Sequence, residues 1–245
     1  MRDCVVVGCG RSGTSLAAGL LARAGHDCGE DLLPLDEGGP TGFFEARRTN
    51  ELNELLLAPH LHAALERDGY SRPLRVGESW LAVLPPDVEI EAPRWLRDGM
   101  GATVPASPYC LKDPRFAYTL DAWRPLLREP LFVCVFRHPH ATGESIARDV
   151  RYGDLRVEFD TAVAIWSAVY ARVLDRHRHE GDWEFVHYEQ LLDGGGVDRL
   201  ARRVGVPLDH TFADPALRRS TPTAEHPPAG RAIYDELCAA AGCAR

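Results

Sequence analysis

A glycine-rich segment near the start of the chain has the residue types that bind phosphate. Residues 8–15 read GCGRSGTS and follow the apolar residues Cys4–Val7, which are typical of a strand buried in a parallel sheet. Thr14–Ala24 has the apolar spacing of a helix. Backbone N–H groups and the helix dipole at such a junction attract anions. The candidate phosphate-binding residues are therefore Gly10, Arg11, Ser12, Gly13, Thr14 and Ser15.

Two phosphate-binding patterns partly fit this segment. Gly8, Gly13 and Ser15 have the spacing of the P-loop, but Thr14 occupies the place of its lysine. The glycines also fit the dinucleotide-binding pattern Gly-x-Gly-x-x-Gly, which needs an acidic residue at the end of a second strand. The acidic residues at positions 27–31 follow no predicted strand. Neither a kinase nor a dinucleotide-binding protein is fully matched.

A second cation follows the strongest predicted strand. Leu131–Phe136 reads LFVCVF, and Arg137 comes directly after it. Pro139 then opens a helix on which Ser145 falls. A ligand with two separated phosphates needs two anion sites, and Arg11 and Arg137 at one edge of a parallel sheet would supply them.

The chain contains a single lysine beside 27 arginines. Lys112 ends the short predicted strand Tyr109–Lys112, within the motif Leu111-Lys-Asp-Pro-Arg-Phe116. A lone lysine at a strand end indicates a position that needs a compact ammonium group rather than a planar guanidinium. The alternative is an ordinary strand-end residue.

These motifs together resemble the sulfotransferase family, in particular its bacterial and carbohydrate-type members. They occur in the order of the family from residue 4 to residue 192, and the last fifty residues match little. The resemblance implies that the donor is 3′-phosphoadenosine 5′-phosphosulfate (PAPS) and the product adenosine 3′,5′-bisphosphate (PAP). No metal is implied. It also implies a small-molecule acceptor.

The resemblance assigns roles residue by residue. The glycine-rich loop, with Arg11 in the place of a family Lys or Arg, binds the 5′-phosphosulfate. Arg137 and Ser145 bind the 3′-phosphate. Tyr188, in the motif Val186-His-Tyr-Glu-Gln-Leu-Leu192, approaches the adenine, and Lys112 faces the transferred sulfuryl group.

The general base is expected to be Glu45, because carbohydrate-type members place a glutamate after the first helix. The alternative is that Glu45 is an exposed acid in the first turn of the next helix, where the macrodipole favours it. Family members that act on phenols use a histidine, for which His60, His62 and His140 are candidates. His138 is expected to support the turn after its strand.

The elements that position these residues alternate between strand and helix. The predicted strands are Cys4–Val7, Tyr109–Lys112, Leu131–Phe136 and Trp183–Val186. The predicted helices are Thr14–Ala24, Thr49–Leu57, Pro114–Leu127, Ala141–Val150, Thr161–His177 and Ala229–Ala241. This order predicts parallel pairing and a three-layer α/β/α sandwich like that of P-loop NTPases. The length favours one domain over residues 1–245.

Composition narrows the class of protein. A net charge of −8 and a pI near 5.7 argue against a broad basic face for nucleic acid. No apolar run approaches the length of a membrane span. The seven cysteines form no Cys-x-x-Cys pair, and no His, Cys or Asp cluster suggests a metal site. We expect a cytoplasmic protein with reduced thiols.

Two other functions stay open at this point. One is a nucleotide or small-molecule kinase in which Ser15 and Asp113 hold Mg²⁺. The other is a nucleotide-binding module without turnover. The acceptor and the oligomeric state stay open as well. The tryptophans expected in the core or in an acceptor pocket are Trp80, Trp95, Trp123 and Trp166.

Overall fold

The computed structural model describes residues 1–34, 42–61, 69–148, 153–217 and 228–243. Within these ranges one sheet is formed by four strands, β1 (Cys4–Val7), β2 (Cys110–Lys112), β3 (Leu131–Phe136) and β4 (Asp182–His187). The strand order is β2-β1-β3-β4, and each neighbouring pair is parallel. The predicted parallel sheet is confirmed.

Helices connect and cover the strands. Their bounds are α1 (Thr14–Arg23), α2 (Arg47–Leu57), α3 (Arg94–Thr103), α4 (Phe116–Trp123), α5 (Pro139–Ala147), α6 (Phe159–Arg172), α7 (Tyr188–Leu192), α8 (Gly195–Val204) and α9 (Arg231–Ala241). α6 continues as a π-helical turn at Val173–His177. In the described part of the chain, no helix has the length and apolarity needed to cross a membrane.

The strands present alternate side chains to two apolar layers. Val5 and Val7 of β1 pack with α2, α4, α6 and α9, whereas Cys4 and Val6 pack with α1 and α8. All four side chains are fully buried. Burying a valine stabilises the fold by about 1.5–3 kcal/mol, so a charged side chain at any of these positions would disrupt the layer that it faces. The three-layer α/β/α sandwich is confirmed.

Some helices differ from the sequence prediction. The helix expected from Pro114 begins at Phe116, because the Asp113 carboxylate accepts from Arg115 N at 2.8 Å and forms a turn first. Three helices, α3, α7 and α8, were not predicted. α3 contains two glycines, α8 begins with two, and α7 has only five residues, so helical periodicity is weak in each.

The tryptophans divide into buried and exposed positions. Trp123 and Trp166 are fully buried and Trp80 nearly so, as predicted. The prediction for Trp95 is wrong, because its side chain is 70% exposed. It lies at the start of α3, where only Leu96 and Met100 are buried, so the apolar face of the helix points away from Trp95.

Candidate active site

The predicted site residues meet at one edge of the sheet. The glycine-rich loop (residues 8–15) follows β1, Lys112 ends β2, Arg137 follows β3 and Tyr188 follows β4. Because the strands are parallel, their carboxyl ends lie together. β1 has β2 on one side and β3 on the other, so the loop leaves the sheet where the strand order changes direction, the usual position of ligand sites in open α/β sheets.

The glycine-rich loop ends at a helix start whose cap residue, Gly13, has no side chain. Gly13 precedes α1 with φ +94°, a conformation that favours glycine, and no described side chain caps this helix. A Cβ on Gly13 would lie 2.5 Å from Cδ2 of Tyr188. A Cβ on Gly10 would lie 2.5 Å from Cζ3 of Trp80. The loop backbone is therefore enclosed by two aromatic rings, and its N–H groups lie at the positive end of the helix dipole.

Side chains of the loop contact α5. Arg11 Nε donates to Ser145 Oγ at 3.1 Å, and the hydroxyls of Ser12 and Thr142 are 3.4 Å apart. The family resemblance assigns Arg11 and Ser145 to different phosphates of the donor. The structure brings the two side chains into direct contact, so the two candidate anion sites adjoin.

Arg137 and Tyr188 form a stacked pair. The Arg137 guanidinium lies 4.5 Å from the centroid of the Tyr188 ring, and Arg137 is only 6% exposed. Trp166 Nε1 donates to the Arg137 carbonyl at 3.0 Å, which fixes the backbone after β3. A cation stacked on an aromatic face gains about 0.5–2 kcal/mol, so the guanidinium is held at the edge of the sheet.

Lys112 and Glu45 form a buried ion pair. Lys112 Nζ donates to Glu45 Oε1 and, at 3.3 Å, to Ser15 Oγ. The second carboxylate oxygen of Glu45 accepts from Asn50 Nδ2 at 3.1 Å. The alternative of an exposed acid in a first helical turn is wrong, because Glu45 precedes the cap residue Ala46 and is only 6% exposed.

The segment that carries Glu45 is held by Phe44, a residue that the sequence analysis did not single out. Phe44 has φ +56°, and its ring packs edge-to-face against Phe212 with centroids 6.1 Å apart. A Cβ on Gly19 of α1 would meet both rings, so the missing side chain makes room for them. The only sign of this arrangement in the sequence was that Gly42 and Phe44 closely precede Glu45.

The histidine candidates lie elsewhere. The His140 ring packs against Phe159 with centroids 5.0 Å apart, and its Nδ1 lies 4.0 Å from Glu144. His60 lies in a 3₁₀ turn after α2. His62 falls outside the described residues. Among the candidate bases that the structure describes, Glu45 is the one that contacts Lys112.

A buried charge network lies behind Lys112. Arg115, 2% exposed, pairs with Glu54 at 2.5 Å and with Asp113 at 3.1 Å, and its Nε donates to Ser79 Oγ at 2.8 Å. Burial raises the pKa of Asp113 to about 6. Sequence spacing could not show this network, because its members come from three separate segments.

The network bears on the kinase hypothesis. A kinase would use Ser15 and Asp113 for Mg²⁺, but both carboxylate oxygens of Asp113 accept from Arg115, at 3.1 and 3.3 Å. Among the described residues, no group of three or more His, Cys, Asp or Glu side chains could hold a metal ion. The arrangement favours anion binding over Mg²⁺ binding.

The comparison with protein families decides the class. The model of the sulfotransferase family matches residues 4–210, which include the loop, Glu45, Lys112, Arg137 and Tyr188. The chain belongs to the sulfotransferase family. It is therefore a transferase that moves sulfuryl groups, and the match ends before α9.

A solved structure supports the fold of this sulfotransferase. The sulfotransferase domain of the Synechococcus PCC 7002 olefin synthase is 19% identical, with a TM-score of 0.54. The match covers 96% of this chain and 94% of that domain. No curated protein matches the sequence significantly.

Proposed function

We propose that this sulfotransferase moves a sulfuryl group from PAPS to a hydroxyl or amine of a small-molecule acceptor. The observation that carries the proposal is the buried ammonium of Lys112, which faces the Glu45 carboxylate and the Ser15 hydroxyl of the glycine-rich loop. By analogy with phosphoryl transfer, the reaction needs a cation beside the leaving oxygen and a base for the acceptor proton. Lys112 would supply the cation, and Glu45 would act as the base.

Two groups of residues would hold the donor. The N–H groups at the start of α1, Arg11 and the loop hydroxyls would bind the 5′-phosphosulfate. Arg137 and Ser145 would bind the 3′-phosphate, with Tyr188 beside the adenine. The uncapped helix start and the buried Arg137 fit this ligand, since charge-assisted hydrogen bonds contribute about 1.5–3 kcal/mol each.

The transfer step conserves atoms and charge. The acceptor oxygen or nitrogen attacks sulfur in line, and the bond between sulfur and the 5′-phosphate oxygen breaks. Its electron pair stays on the phosphate, where Lys112, Arg11 and the loop amides stabilise the charge. Glu45 takes the acceptor proton, and PAP leaves with the sulfated acceptor.

The ion pair links donor binding to the base. Glu45 Oε1 accepts from Lys112 Nζ, so this oxygen is occupied by the ammonium. An anionic donor that takes over the ammonium would leave Glu45 Oε1 to take the acceptor proton. Asn50 holds the other carboxylate oxygen, so Glu45 keeps its place during this exchange.

The proposed compartment is the cytoplasm. All seven cysteines are thiols, and six of them are buried. Burial raises the pKa of Cys4 to about 12, which keeps this thiol protonated and unreactive. A protein that keeps its cysteines as thiols fits a reducing compartment.

Calorimetry of the purified protein tests the donor. PAP should bind at least tenfold more tightly than AMP, and without Mg²⁺, because only PAP has the 3′-phosphate. Arg137→Ala should remove most of that preference. Arg48→Ala is the matched control, because this arginine is exposed and pairs with Glu51 of the same helix.

Turnover is tested with ³⁵S-labelled PAPS and a panel of phenols, aliphatic alcohols and amines. Lys112→Ala should lower kcat by a much larger factor than it lowers PAP affinity, because the contact with the leaving oxygen strengthens as charge develops there in the transition state. Equal affinities for PAP and AMP would contradict the donor. Tight Mg²⁺-dependent ATP binding would favour a kinase, and PAP binding without transfer to any acceptor would favour a module without turnover.

A further inference from the structure

Two histidines cap the helices that follow β3 and β4 in the same way. His138 precedes α5, and its Nδ1 accepts from His140 N at 3.2 Å. His187 precedes α7, and its Nδ1 accepts from Glu189 N at 3.1 Å. An imidazole nitrogen accepts a hydrogen bond only when it carries no proton. Both caps therefore require a ring that is neutral and unprotonated at Nδ1.

Tyr234 of the C-terminal helix α9 lies between the two caps. Its ring centroid is 5.0 Å from that of His138 and 5.8 Å from that of His187. Its hydroxyl oxygen lies 3.1 Å from His187 Nε2. Because Nδ1 of His187 is the acceptor in the cap, Nε2 carries the proton and donates it to the Tyr234 oxygen.

The environment keeps His187 neutral. The ring is 6% exposed, and Tyr234 is 5% exposed. Burial lowers the pKa of His187 to about 4, and the positive charge of Arg137 acts in the same direction. At neutral pH the ring therefore has one proton, and the hydrogen-bond partners decide which nitrogen carries it.

Both capped helices hold residues of the proposed donor site. α7 begins with Tyr188, whose ring lies against the Arg137 guanidinium. α5 carries Ser145, which accepts from Arg11. Tyr234 itself lies beyond residue 210, where the family match ends.

We propose that Tyr234 is a positioning residue for the part of the site that binds the 3′-phosphate and adenine; this inference rests on the proposed function. The Tyr234 hydroxyl accepts the Nε2 proton of His187 and so keeps Nδ1 as the acceptor that caps α7. Without that hydroxyl, the Nε2–H group is buried without this acceptor. Transfer of the proton to Nδ1 then breaks the cap at Glu189 and displaces Tyr188.

Three variants test this role. Tyr234→Phe removes only the hydroxyl and should weaken PAP binding about tenfold. The ¹⁵N resonances of the His187 ring should shift toward the other tautomer, which a loss of packing alone would not cause. His187→Asn keeps an oxygen that can cap α7 but loses the ring N–H that reaches Tyr234. Tyr109→Phe is the matched control, because it removes another buried tyrosine hydroxyl at the opposite edge of the sheet.

The combined variant Tyr234→Phe/His187→Asn should bind PAP within about twofold of His187→Asn alone, because asparagine has no ring tautomer for Tyr234 to fix. Unchanged PAP affinity in folded Tyr234→Phe, or losses that simply multiply in the combined variant, would overturn the inference. If Tyr234→Phe alone does not fold, the combined variant is compared with His187→Asn, and a difference in PAP affinity above about twofold would overturn the inference. Absence of PAP binding by the unchanged protein would instead contradict the proposed function.

Discussion

Arg11 Nε donates a 3.1 Å hydrogen bond to Ser145 Oγ across 134 positions of sequence. The bond joins the loop after β1 to α5. Arg11 has φ +70°, which is unfavourable for a residue with a Cβ and persists where the surroundings hold it. The contact with Ser145 is one such restraint, so the two residues should act as a unit in donor binding.

A double-mutant cycle measures this coupling. Arg11→Ala and Ser145→Ala should each weaken PAP binding, and their combined effect should differ from the sum by about 0.5–3 kcal/mol. Calorimetry on the four proteins gives the value. Combining Arg11→Ala with the distant Arg48→Ala should be additive within about 0.5 kcal/mol. Additivity in both cycles would show that the hydrogen bond has no role in binding PAP.

Neutralising one partner of the buried pair should affect both stability and turnover. Glu45→Gln leaves the Lys112 ammonium buried without its carboxylate, which should lower the unfolding free energy by about 3–5 kcal/mol. Loss of the base should lower kcat by about 10²–10⁴-fold. Urea unfolding and the ³⁵S transfer assay measure the two effects.

The double variant separates these effects. Glu45→Gln with Lys112→Met removes both charges and should recover most of the lost stability without recovering turnover. Glu51→Gln is the control for an exposed pair and should change stability by less than about 1 kcal/mol. An active and stable Glu45→Gln protein would move the search for the base to His60, His62 and His140.

Gly13 of the loop can be compared with Gly205, because both glycines have a positive φ. Gly13 and Gly205 have φ +94° and +77°, so alanine at either should cost about 1–2 kcal/mol of stability. Only at Gly13 does the new Cβ meet another side chain, the Tyr188 ring. Gly13→Ala should therefore weaken PAP binding more than tenfold, whereas Gly205→Ala should leave it unchanged. Equal PAP affinities of the two variants would show that the loop does not contact the donor.

The His187 cap predicts a pH dependence of stability. The folded state lowers the pKa of His187 from 6.5 to about 4, so between these values the unfolded chain binds more protons than the folded chain. This residue's contribution is therefore complete above pH 6.5 and is lost as the pH falls toward 4.

The comparison with His187→Asn isolates this contribution. Asparagine does not titrate, so the stability difference between the unchanged protein and the variant should shrink as the pH falls from about 7 to 4. Denaturant unfolding at several pH values measures it. Asp113, whose pKa is raised to about 6, has the opposite dependence below pH 6, but it is present in both proteins and cancels. A difference that stays constant with pH would contradict the buried neutral ring.

Local sequence pattern was sufficient for the central elements. β1 and β3 have the predicted bounds, because runs of buried apolar residues ended by glycine or by Arg137 mark strands well. The convergence of loop, Lys112 and Arg137 followed from parallel strands having their carboxyl ends together.

Contacts that depend on tertiary packing could not be predicted from the sequence pattern. Glu45 and Lys112 are 67 positions apart, and the expectation that both serve catalysis came from the family resemblance rather than from spacing. The links from Tyr234 to His138 and His187 depend on how α9 packs on the sheet. No periodicity or motif encodes a contact between helix α9 and the ends of two strands.

Because the chain has a single lysine, chemical labelling of Lys112 would report whether the buried Lys112–Glu45 pair is open. Lys112 is the only lysine in the sequence, and it is 4% exposed. An amine-selective acylating reagent should therefore leave Lys112 unmodified in the native protein. A label on Lys112, located by mass spectrometry, would record opening of the Lys112–Glu45 pair, and protection by bound PAP could be followed without a radioactive donor or a known acceptor.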